Sequence, residues 1–105
     1  MTGSDLLHTA YVSVAKTMGL DVSVPYAKNR TERSAVARWV AWKALRQTGL
    51  NDERIGRLAG YDRTTVSYGV RKIDVVIDCC NRWGRLAKAG LLMACADLEQ
   101  EVRRG

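Results

Sequence analysis

Four consecutive polar side chains, Asp62 to Thr65, carry groups that can read the edges of DNA base pairs. An arginine such as Arg63 can donate two hydrogen bonds to a guanine edge, and a threonine can contact a thymine methyl group or a phosphate oxygen. Asp62 has two interpretations: it is only the N-cap of a helix, or it also accepts a hydrogen bond from cytosine N4. The run therefore predicts contacts with the major groove.

A helix that begins at Asp62 or Arg63 would separate apolar from polar residues. Its apolar stripe is Val66, Val70, Ile73 and Ile77. Because each helical residue turns by about 100°, the polar side chains between these positions face away from the stripe. The predicted base contacts are Asp62, Arg63, Thr64, Thr65, Ser67 and Tyr68.

The residues before this helix predict a second, shorter helix and a sharp turn. Asn51 is a suitable N-cap for a helix over residues 52 to 59, and its acidic first turn suits the positive end of the helix dipole. Gly56 permits close approach of the two helices, and Gly60 permits the backbone of the turn. The spacing predicts a helix-turn-helix over about residues 51 to 73.

Positive charge is concentrated around this segment. Residues 28 to 72 contain eleven basic and four acidic residues, whereas the residues on either side of this segment are nearly neutral. Such an excess is either a solvated face or a surface for phosphate groups, and the neighbouring helix-turn-helix favours phosphate. The predicted phosphate or minor-groove contacts are Lys28, Arg30, Arg33, Arg38, Lys43, Arg54, Arg57, Arg71 and Lys72.

The rest of the chain predicts further helices, so the expected class is all-α with a single domain over residues 1 to 105. Ser4 can cap a first helix that ends at Met18, and Thr31 can cap a second that ends near Gln47. Residues 20 to 29 are expected to be an extended connection. A helical tail over about residues 75 to 103 is expected to be interrupted at Gly84 and Gly90.

The composition argues against several function classes. Three cysteines, Cys79, Cys80 and Cys95, and the lone His8 offer no metal-ligand spacing and no nucleophile with a base, so neither a cofactor nor an enzyme is expected. No apolar run approaches the length of a membrane span. We expect a cytoplasmic, nucleoid-associated protein with reduced thiols.

The runs at 37 to 42, 55 to 56, 62 to 66 and 71 to 73 resemble the C-terminal DNA-binding domain of the bacterial replication initiator DnaA. That family's signature reads Asp-His-Thr-Thr-Val followed by Arg-Lys-Ile. This chain has Asp62-Arg63-Thr64-Thr65-Val66 and Arg71-Lys72-Ile73, with arginine in place of histidine and a turn one residue shorter. The resemblance covers roughly residues 33 to 74 and implies a Trp-repressor-like helix-turn-helix bundle that binds duplex DNA through residues 62 to 65. No phosphate-binding loop of an ATPase is present.

Stand-alone domains that resemble this one act as transcription regulators, including activators of gene-transfer-agent clusters. The resemblance implies a sequence-specific regulator that acts with a transcription-machinery or co-activator protein. A homodimer formed through the tail is a separate alternative. Two other functions stay open: a DnaA-box-like binding protein of replication or phage origin, and a protein-interaction adaptor. The tail offers Trp83, Leu86, Leu91 and Met93 either to a partner or to the core.

Overall fold

A computed structural model of the protein describes residues 2–29, 31–79 and 81–104. These residues form helices and loops without a strand, so the predicted all-α class is confirmed. The helices are α1 (Gly3–Met18), α2 (Ser23–Tyr26), α3 (Glu32–Thr48), α4 (Asp52–Ala59), α5 (Arg63–Asp78) and α6 (Arg82–Arg104). None of them is long and apolar enough to cross a membrane within the described ranges.

Local capping residues set most helix boundaries. The Thr31 and Asn51 side chains accept hydrogen bonds from the third backbone N–H of α3 and α4, and both predicted N-caps are confirmed. Glycines in the left-handed conformation follow α1, α3 and α4, at Gly19, Gly49 and Gly60. Each of these helix ends is set by residues that are close in the chain, so the sequence alone predicts them.

Two predicted features near the N-terminus are wrong. Helix α1 is capped by Thr2 rather than Ser4, because Thr2 and Asp5 exchange reciprocal hydrogen bonds of 3.1 and 3.2 Å in a capping box. The connection expected to be extended contains the one-turn helix α2. The Asp21 carboxylate accepts bonds from both the backbone N–H and the hydroxyl of Ser23, which starts this turn.

The C-terminal helix α6 runs through both glycines that were expected to interrupt it. Gly84 and Gly90 are buried at contacts with other helices. A Cβ atom at Gly84 would lie 2.6 Å from the Val76 carbonyl oxygen, so the close approach of α5 and α6 needs a residue without a side chain. The glycines mark packing rather than helix ends, and the interruption predicted there is wrong.

One hydrophobic core is shared by the helices. It includes Leu7, Tyr11, Val14, Met18, Val36, Val40, Trp42, Leu45, Ile55, Val66, Ile73 and Leu98. Helix α6 packs against α1, α3 and α5, and its Ala87, Ala94 and Leu98 are fully buried. The tail therefore completes the core, although its outer side leaves Leu92 and Met93 exposed.

Candidate nucleic-acid interface

The first turn of α5 lies on the surface. Asp62 and the three residues that follow it, Arg63 to Thr65, are all exposed. Asp62 has the extended backbone of an N-cap, yet its side chain makes no capping hydrogen bond. The capping interpretation therefore holds only for the backbone of Asp62. The oxygens of its carboxylate make no capping hydrogen bond and can accept hydrogen bonds from another group.

The turn between α4 and α5 is held by backbone hydrogen bonds. The N–H groups of Gly60 and Tyr61 both donate to the Gly56 carbonyl oxygen at 2.8 Å. Gly60 has φ +81°, a conformation that L side chains rarely adopt. A Cβ atom at Gly56 would collide with the Tyr61 carbonyl oxygen, so both glycines are needed for the tight crossing of α4 and α5.

Lys28 ties the start of the basic segment to this turn. Its Nζ donates to the Gly60 carbonyl oxygen at 3.0 Å and lies 4.8 Å from the ring centroid of Tyr61. Tyr61 also packs edge-to-face on the buried Trp42, with ring centroids 5.2 Å apart. The turn is thus fixed from outside by a cation and from inside by an aromatic ring.

Ser67, one of the predicted base contacts, is engaged within the protein. Its hydroxyl donates to Oδ2 of Asp52 at 2.6 Å, and both side chains are half-buried. Arg46 of α3 lies 3.5 Å from the same carboxylate oxygen. Asp52 therefore connects α3, α4 and α5. Because its hydroxyl is engaged by Asp52, Ser67 is not among the residues available to DNA.

Tyr68 remains exposed, with 51% of its surface open to solvent. It packs edge-to-face against Trp39 of α3, with centroids 5.9 Å apart. Next to it, Gly69 is buried under the Trp39 ring, and a Cβ atom there would collide with that ring. Trp39 thus holds the ring of Tyr68 in place. Tyr68 lies on the same side of α5 as Thr65, and these two residues line a cleft.

This cleft of about 750 Å³ lies between α3, the turn and α5. Its lining combines four aromatic side chains with polar residues and with the charged Lys28, Glu32 and Arg38. Its lining includes Lys28, Glu32, Trp39, Trp42, Tyr61 and Tyr68. Thr65 and Tyr68 belong both to this lining and to the exposed residues of α5.

Six of the predicted phosphate contacts fall into two groups. The side chains of Arg33, Arg54, Arg71 and Lys72 are exposed and have no ion-pair or hydrogen-bond partner among the described residues. Two others are paired: Arg57 binds Glu53 at 2.9 Å on the surface of α4, and Lys43 binds Asp74 at 2.8 Å. The exposed pair of Arg57 is of a kind that contributes little stability, whereas the Lys43 side chain is half-buried, with 22% of its surface exposed.

Arg38 is not available as the phosphate or minor-groove contact that the sequence predicts. It is 6% exposed, and its guanidinium donates to the carbonyl oxygens of Ala27 and Asn29. It also lies 5.4 Å from the ring of Tyr61. A buried guanidinium that holds the connection before α3 is not accessible to phosphate, so Arg38 leaves the candidate set. Arg30 lies outside the described residues.

Two supporting residues were not found by the sequence reasoning. The sequence places Asp52 in the acidic first turn of a helix and gives Trp39 no role in the site. Their contacts with Ser67 and Tyr68 join positions 15 and 29 residues apart in the chain. No local pattern signals such pairs, whereas the exposed first turn of α5 follows from periodicity alone.

No group of three or more potential metal-ligating side chains occurs among residues 2–29, 31–79 and 81–104. The arrangement instead combines exposed hydrogen-bonding groups on one helix with cations from neighbouring elements. Comparison with protein-family models and with curated proteins finds no match to this chain.

Proposed function

We propose that this protein is a sequence-specific regulator of transcription that binds double-stranded DNA through a helix-turn-helix formed by α4 and α5. The observation that carries the proposal is the first turn of α5. Asp62, Arg63, Thr64 and Thr65 are exposed there together, and the turn before them is fixed by Gly60 and Lys28. Side chains on a rigid helix end can read bases without a large cost in conformational entropy.

In this proposal, the N-terminal end of α5 enters the major groove. Arg63 donates to a guanine edge, Asp62 accepts from cytosine N4, and the threonines contact a thymine methyl group or phosphate. The exposed cations of α3, α4 and α5 bind the sugar-phosphate strands on either side. Phosphate contacts supply most of the affinity, and the four residues of the first turn supply sequence discrimination.

The motif resemblance to the DnaA C-terminal domain supports duplex DNA as the ligand and supports a role as an activator with a protein partner. A DnaA-box-like binding protein uses the same surface and differs in its target. The adaptor alternative needs the exposed face of α5 to bind protein. The unpaired cations Arg33, Arg54, Arg71 and Lys72 favour DNA over an adaptor surface.

The experiment is selection of bound duplexes from a random library, followed by titration of the selected site at several salt concentrations. We expect one enriched motif and an affinity that falls steeply with salt, with a log–log slope of about −4 to −5 for about five phosphate contacts. The matched control is Arg63→Ala, which should lose the motif preference and keep the salt slope. A protein that enriches no motif and shows a flat salt dependence is an adaptor.

A further inference from the structure

The outer side of α6 carries apolar residues that no part of the described chain covers. Leu92 and Met93 are 64% and 52% exposed, and Ala89 and Ala96 are exposed beside them. We call these four residues the α6 stripe. Their spacing of three and four residues places them on one side of the helix, opposite the buried Ala94.

We propose that the α6 stripe is a homodimer interface in which two copies of α6 pack antiparallel around a two-fold axis. With the axis midway between Leu92 and Met93, Leu92 of one copy lies opposite Met93 of the second copy. The same axis places Ala89 opposite Ala96. The large side chains then meet at the centre and the small ones on either side, so the helices can approach closely.

The charges beside the stripe favour this antiparallel orientation. Lys88 and Glu99 are exposed on the same edge of the stripe, about three turns apart. In an antiparallel pair, Lys88 of one copy lies near Glu99 of the second, and the symmetry makes this ion pair twice. A parallel pair would instead place this edge of the two copies on opposite sides of the interface, where Lys88 of one copy cannot reach Glu99 of the second. The Glu99 side chain is 63% exposed, and its intrahelical ion pair with Arg103 at 2.7 Å is an exposed one that can rearrange.

Other occupants fit the stripe less well. The charges of residues 73 to 105 sum to zero, so this segment adds nothing to the positive excess of residues 28 to 72 that favours DNA. The stripe has two large residues at its centre and one alanine on either side, so it can pack against a second copy of itself. A two-fold interface requires such a self-complementary surface. Helix α6 packs on α1, α3 and α5 and makes no contact with α4 among the described residues. A dimer on its outer side leaves the first turn of α5 open.

The first test measures the molar mass of the full chain by sedimentation equilibrium over a wide concentration series, without DNA. We expect the mass to rise from 11.7 kDa toward twice that value. Leu92→Glu should keep the protein monomeric with an unchanged melting temperature, because position 92 is exposed. Val75→Glu is the matched control: Val75 is 55% exposed on α5, outside the stripe, and this variant should still dimerise.

The second test determines the orientation by cross-linking. Cys79→Ser, Cys80→Ser and Cys95→Ser remove the natural thiols, and cysteine is then placed at position 89 or at position 96. Under mild oxidation, a mixture of the Ala89→Cys and Ala96→Cys chains should form the mixed disulfide. Either variant alone should form much less.

Failure of this proposal is distinguishable from failure of DNA binding, because neither test uses DNA. A wild-type protein that stays at its monomer mass throughout the series overturns the dimer. Equal dimerisation of the Leu92→Glu variant overturns the assignment to α6. Preferred cross-linking of each cysteine variant with itself overturns the antiparallel geometry.

Discussion

The hydroxyl of Ser67 donates a 2.6 Å hydrogen bond to Oδ2 of Asp52, and this bond joins α5 to the start of α4. The other carboxylate oxygen, Oδ1 of Asp52, is buried without a hydrogen-bond partner in the described part of the chain. The Ser67 bond is thus a main compensation for the partial burial of this charge. It fixes the rotation of α5 relative to the rest of the predicted DNA-binding segment.

Ser67→Ala should lower the free energy of unfolding by about 1 to 3 kcal/mol, because it leaves a half-buried carboxylate with a poorer set of donors. Urea denaturation measures this change. Thr64→Ala, at an exposed position of the same helix, is the control and should change stability by less than about 0.5 kcal/mol. Equal stability of the two variants would show that the Asp52 contact does not hold α5.

Arg63→Ala should weaken binding to the selected DNA site by about 1 to 3 kcal/mol, because a bidentate contact with guanine discriminates between bases. Binding to random duplex should weaken much less. Competition titrations with both duplexes measure the ratio. Equal losses on both would make Arg63 a phosphate contact.

Arg38 and Arg71 should respond differently to the same substitution. Arg71→Ala should leave stability nearly unchanged and reduce the magnitude of the salt slope by about one, as expected for an exposed phosphate contact. Arg38→Ala should lower the free energy of unfolding by about 3 kcal/mol, since two backbone carbonyls lose a buried charged donor. Paired thermal melts and salt titrations separate the two roles. A stable Arg38→Ala variant with a reduced salt slope would return Arg38 to the DNA-binding set.

Two buried glycines provide a matched pair that tests the packing of α5 on α3 and of α6 on α1 and α3. Gly69→Ala should cost about 1 to 3 kcal/mol of stability, because its Cβ atom would collide with the Trp39 ring. At Gly90, a Cβ atom would lie 3.5 Å from Met18 Cγ, which is an ordinary contact. Gly90→Ala should therefore stabilise the helix by about 0.5 to 1 kcal/mol. Chemical denaturation tests both signs, and destabilisation of similar size at the two positions would contradict this packing.

Burial raises the pKa of Tyr11 to about 12, while a hydrogen bond from Trp42 partly opposes the effect. Between pH 10 and 12 the unfolded chain loses the phenol proton and the folded chain keeps it. This contribution to stability is therefore complete below pH 10 and falls as pH rises through that window, by about 2 to 3 kcal/mol in total. Denaturation of wild type and of Tyr11→Phe at both ends of the window measures it. The variant should show a smaller decrease, and an equal decrease would contradict the assignment to Tyr11.

Local signals explain what the sequence could predict. The caps Thr31 and Asn51 and the stop at Gly60 act through neighbours within four residues, so the limits of α3 and α4 and the exposed turn at Asp62 follow from residue type. The burial of Arg38, the engagement of Ser67 and the packing at Gly84 depend on which elements meet in space. A cationic residue has the same sequence neighbours whether it is buried or exposed, and a glycine has the same neighbours whether it ends a helix or packs against one. Periodicity and capping rules therefore cannot separate these cases.

The most extensive helix contact, between α1 and α6, joins the two ends of the chain. During synthesis, α1 through α5 leave the ribosome before α6, which packs near Met18 and Val40 through Gly90. Such long-range closure slows folding relative to a bundle of sequential neighbours. The predicted DNA-binding segment lies between these ends, and it depends on Leu98 to complete the core on which it rests. Chains released before that residue should therefore be substrates for chaperones and proteases, and they should lack DNA-binding activity.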